Sequence, residues 1–114
     1  MRTGNRTAVI VVPKQPLLDW LHSVDPTSAE VTLKILREDP TVYLLAECGS
    51  DPEAENLLAE NCAQIFEEQL DAWYRAPERW PEDRGIANFR RWFTCSVHSM
   101  VVDLCNDPLL AEEA

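Results

Sequence analysis

Glycine occurs three times in 114 residues, and that scarcity removes whole classes of chemistry. Phosphate-cradling turns bring backbone close to the ligand and draw on clustered glycines, so there is no P-loop and no GxGxxG turn. Histidine is sparser still, at two residues. No HExxH helix and no Cys-x-x-Cys pair offers the local ligands from which small zinc sites are built. A GxSxG nucleophile elbow and a calcium-type carboxylate loop are also missing. Long apolar runs are absent: the stretch at 8–12 stops at Pro13-Lys14, far short of the about 20 residues that span a bilayer. It lacks a small-residue cleavage site, which argues against a secretory leader and makes the cytoplasm the expected compartment. Basic residues are few, ten Lys and Arg against twenty Asp and Glu, for a formal charge of −10. Recognition of nucleic acid and of anionic membranes relies on Lys and Arg, so neither is an expected partner.

What is present has a globular balance, 46% hydrophobic and 26% charged. A chain of this size forms one domain with its own core and needs no cross-link or metal. The expected domain covers residues 1–106, followed by a short acidic tail at 107–114. Cys48, Cys62, Cys95 and Cys105 are irregularly spaced and read as reduced thiols, mostly buried.

The chain alternates two periodicities. TAVIVV at 7–12 is β-branched and apolar on both faces, as a central strand is. Leu17, Leu18, Trp20, Leu21 and Val24 recur at helical spacing up to Asp25-Pro26. Thr27 to Glu30 has the form of a capping box, which favours a short helix over 31–36 although Val31, Leu33 and Ile35 alternate like a strand. A second strand covers 41–47, with Val42, Leu44 and Ala46 on one face and Tyr43 and Leu45 on the other. The clearest element is a long helix opening at Asp51-Pro52, with an apolar stripe through Leu57, Leu58, Cys62, Ile65, Phe66, Leu70 and Trp73, ended by Pro77. A Pro-rich loop then leads to a shorter helix marked by Ile86, Phe89 and Phe93, and 96–104 reads as a third strand. The order β-α-α-β-α-α-β predicts an α+β fold with a small three-stranded sheet, first strand central, packed against helices. Because the strands are apolar on both faces, either helices cover both sides or a second copy covers one.

Asn5-Arg6, Pro13-Lys14-Gln15-Pro16 with Trp20, TVYLLAE at 41–47, IFEEQLDAWY at 65–74, Trp80-Pro81 with Arg84, Phe89 with Trp92-Phe93, and HSMVVDL at 98–104 together resemble a family of small uncharacterised bacterial proteins. The resemblance covers nearly the whole chain. It implies a bacterial cytoplasmic setting and carries over no activity and no functional residue.

Composition is uneven along the chain. Residues 72–93 hold six of the nine aromatics and five of the ten basic residues, so this stretch carries +2 while the remainder carries −12. Arg and Trp dominate interface hot spots because each buries large area while orienting a polar group. Trp80, Arg84, Arg90, Arg91 and Trp92 are therefore the candidate binding residues. The blander alternative is that the aromatics are core and the arginines pair with the chain's own carboxylates. The acidic face of the long helix, Glu53, Glu60, Glu67 and Asp71 with Gln64, reads as a solvated surface. Cys95 and His98 are three apart on a strand, so they point to opposite faces and make no catalytic dyad. These features favour a non-catalytic protein-interaction module, with homodimerisation as one form of it and no cofactor or metal expected. The alternative is a binder or enzyme holding an anionic small molecule between the same arginines and tryptophans. A third reading, an acidic surface that mimics nucleic acid, follows from charge alone.

Overall fold

The computed structural model describes residues 2–3 and 6–105; the tail expected at 107–114 lies outside them. The elements in chain order are β1 (Arg2–Thr3), β2 (Arg6–Pro13), α1 (Gln15–Val24), a 3-10 turn (Pro26–Ser28), α2 (Leu33–Leu36), β3 (Thr41–Ala46), α3 (Asp51–Trp73), a second 3-10 turn (Pro77–Arg79), α4 (Ile86–Trp92), β4 (Phe93–His98) and β5 (Val102–Asp103). This is an α+β fold. Its sheet runs β3-β2-β4, with the first long strand in the centre and both neighbours antiparallel to it. The short strands β1 and β5 pair separately.

Alternation along β2 decides which side is inside. Thr7, Val9, Val11 and Pro13 are buried, whereas Ala8, Ile10 and Val12 are half-buried. On the inner face Val9 lies opposite Tyr43 and Val97, and Val11 opposite Thr41 and Cys95. One core joins Val9 and Val11 to Leu17 and Leu21 of α1, to Leu58, Ile65, Phe66 and Leu70 of α3, and to Phe89 of α4. At its centre Phe66 stands edge-on to Phe93, ring centroids 5.3 Å apart, and Phe89 lies 5.0 Å from Phe93. Such ring pairs add about 0.5–1.5 kcal/mol each beyond the area they bury. The outer residues Ala8, Ile10, Val12, Val42 and Leu44 take no part in this core.

Three expectations need correction. The capping box at 27–30 is not formed. Instead the Asp25 carboxylate accepts from the Thr27 amide at 2.9 Å and hydroxyl at 2.7 Å, and Pro26 starts a 3-10 turn. With the Thr27 hydroxyl turned back on Asp25, helix begins only at Leu33, where the Thr32 hydroxyl accepts from the Ile35 amide.

The third strand also starts earlier than expected, at Phe93, and ends at His98. Its ladder stops because the register changes: Ala8 faces His98 but Thr3 faces Val102, five steps along one strand against four along the other.

Finally, Ser50 and not Asp51 caps α3. Its hydroxyl accepts from the Glu53 amide at 3.3 Å while the Glu53 carboxylate reaches past the cap to accept from the Gly49 amide at 2.8 Å.

Candidate interaction surface

The Arg- and Trp-rich segment folds back on the helices. The Trp80 indole N–H donates to the Tyr74 carbonyl at 3.0 Å, and Trp20 donates to the Arg79 carbonyl at 2.9 Å. These two bonds fasten the loop between α3 and α4 over α1. Trp92 is half-buried, 5.3 Å from Phe66 and 6.3 Å from Trp20. Arg84 donates to the Pro81 carbonyl at 2.7 Å and lies 3.5 Å from the Glu67 carboxylate. Arg90 pairs with Glu55, and Arg91 is exposed. Glu55 and Glu67 stand twelve positions apart on α3, about 18 Å along its axis. Arg84 and Arg90 are thus drawn to separate points of one helix and do not converge on one ligand. A cleft of about 380 Å³ lies between the start of α3 and β4, lined by Cys48, Ser50, Asp51, Val97 and Glu55, the partner of Arg90, among others.

The remaining polar candidates are equally occupied. Cys95 faces the core opposite Val11, and His98 points outward with a ring nitrogen 3.1 Å from the Ser96 hydroxyl. The two lie on opposite faces, as their spacing requires. Burial pushes the Cys95 thiol up to about 11, with the Arg90 charge opposing, which favours the thiol over the nucleophilic thiolate. Burial also raises Cys62. The four cysteines are free thiols, but only Cys62 is fully buried; Cys48 and Cys95 are intermediate and Cys105 is exposed. His22 lies 2.9 Å from the Val31 carbonyl. Along α3 the acidic face is partly engaged, Glu67 with Arg84 and Asp71 with Arg75 at 3.8 Å. Among the described residues, no three His, Cys, Asp or Glu side chains gather to hold a metal, and no helix is long and apolar enough to cross a membrane.

The outer face of the sheet is different in kind. It carries Ala8, Ile10 and Val12 from β2, Val42, Leu44 and Ala46 from β3, and Thr94, Ser96 and His98 from β4. Val42 is 54% and Leu44 42% exposed. Arg6 completes the face, and none of the described residues placed on it is an Asp or Glu. No family model, no curated protein and no solved structure matches the chain.

The outer face was not among the candidate residues read from sequence. The signal for it was the two-sided apolar character of the strands, which left open what covers the second side. Only the packing of α1, α3 and α4 against a single side answers that.

Proposed function

We propose that this chain is a non-catalytic protein-interaction module of the bacterial cytoplasm, with the outer face of the β3-β2-β4 sheet as its contact surface. The observation that carries the reading is Val42 and Leu44 standing half in water beside Ile10 and Val12, outside the core that the described helices form with the other side of the sheet. Removing the exposed part of either side chain from water contributes about 1 kcal/mol. Exposed apolar side chains gathered on one face and rimmed by polar ones are a feature of interaction sites. The inward pairing of Arg84 and Arg90 supports the same reading over an anionic-ligand pocket, since both guanidinium groups already meet carboxylates.

The test is a pull-down of the tagged chain from a lysate of its source organism, run beside two double variants. Val42→Glu with Leu44→Glu charges the sheet face, and Trp80→Ala with Arg84→Ala disrupts the loop. Capture of a specific protein that the sheet variant loses and the loop variant keeps is the expected result. Capture indifferent to the sheet variant, or none at all, sinks the reading.

A further inference from the structure

We infer that the occupant of the outer sheet face is a second copy of this chain, packed face to face about a two-fold axis. The inference rests on the reading of that face as a contact surface and adds the partner. Charge is the first argument. A chain of net charge −10 repels its own copy, so self-association needs a surface where the repulsion is small. None of the described residues on the outer face is an Asp or Glu, and α3 with its acidic face packs on the opposite side of the sheet. With sheets about 10 Å apart and a helix layer behind each, the two α3 outer faces lie about 40 Å from one another. That is several times the screening length of about 8 Å at physiological salt. Docking through the helix layer would instead bring those carboxylates together.

Polarity across the face gives the second argument. Its β2 and β3 half is apolar along Ile10, Val12, Val42 and Leu44, with Arg6 at one end, and its β4 half is hydroxyl- and imidazole-bearing. A two-fold axis near Ile10 and Val42 lays each apolar half on its equivalent and leaves β4 at the wet rim, the arrangement that isologous interfaces take. Among the described residues of that face a basic partner would find no acidic group to pair with.

The face is small. Three strands of six residues span about 14 by 20 Å, roughly 300 Å² of flat area per copy, below the roughly 800 Å² per partner of a standard interface. The dimer is therefore weak and concentration-dependent.

Salt gives the association a sign. Screening relieves repulsion between like-charged copies while leaving apolar burial in place, so self-association tightens as salt rises, whereas binding to a basic partner loosens. The experiment is sedimentation velocity on the full chain across about 10–500 µM protein, in about 0.05 and 0.5 M NaCl. The parent is expected to shift reversibly toward dimer, severalfold more tightly in high salt. Leu44→Glu and Val42→Glu are expected to weaken it tenfold or more, and Gln64→Ala on the exposed side of α3 to leave it unchanged. Circular dichroism confirms folding of each variant; should Leu44→Glu fail to fold, Leu44→Ser serves, with a smaller shift in the same direction. A parent that stays monomeric at both salts, a dimer that loosens with salt, or one that survives both sheet substitutions overturns the inference. A monomeric parent whose lysate capture is still lost on charging the sheet face removes the second copy but leaves the contact surface; a monomer that captures nothing removes both.

Discussion

The Cys95 thiol sits on the inner face of β4 and illustrates how a side chain's surroundings decide its chemistry. Burial lifts it from an ordinary 9.0 to about 11, against the pull of Arg90. Tyr43 moves the same way, raised from its ordinary 10.0 by burial and by the Glu68 carboxylate its hydroxyl donates to. A group whose pKa is higher in the folded chain than in the unfolded one favours folding in its protonated form. The contribution of Cys95 is therefore whole below about pH 9 and fades as the pH rises through about 11. The melting temperature is expected to hold from neutral pH to about 9 and then to fall, less steeply in Cys95→Ala than in the parent. Thermal melts at half-unit pH steps check this. Equal slopes in the two proteins would show that the thiol titrates as it does in the unfolded chain.

At the scale of elements, one polar cluster ties an edge strand to the long helix. The Gln69 amide donates to the Tyr43 hydroxyl at 2.8 Å and to the Thr41 hydroxyl at 2.9 Å, and Tyr43 in turn donates to Glu68. Gln69 is 5% exposed, so its removal takes a donor from two half-buried oxygens, of which the Tyr43 hydroxyl keeps its bond to Glu68. Gln69→Ala is expected to destabilise the fold by about 1–3 kcal/mol, read from urea unfolding with unchanged slope. A smaller loss would mean that water takes the amide's place. Nothing in the residue pattern announces this cluster, because a glutamine in the apolar stripe of α3 looks like an interruption of it. Other elements were legible for plain reasons. The β-branched run at 7–12, the strand at 41–46 and the stripe from Leu58 to Leu70 each carry one dominant period, and the order of elements placed β2 in the centre. The short connections were not, since Thr27 and Thr32 are equally good caps by residue type and only Asp25 decides between them. The end of β4 escaped for another reason: Met100 to Leu104 continue the apolar alternation, while the break there arises from a count of residues on the opposite strand.

For the whole molecule the balance lies between a charge that keeps copies apart and a neutral face that draws them together. Twenty carboxylates outnumber ten basic groups, and among the described residues they populate α3 and the loops and not the outer sheet face. Repulsion therefore opposes association at long range while the apolar strip favours it at contact. Lowering the pH protonates carboxylates and takes the first force away without touching the second. The net charge vanishes near pH 4.5, where proteins lose colloidal stability. Light scattering at fixed concentration is expected to rise from neutral pH to a maximum near that value. The double variant Val42→Glu with Leu44→Glu sets two further carboxyl groups on the face. It is expected to scatter less at every pH above about 5, where glutamates are ionised, and to converge on the parent below about 4 as those side chains neutralise. Identical curves for parent and variant would assign the scattering to charge loss alone and leave the sheet face no part in it.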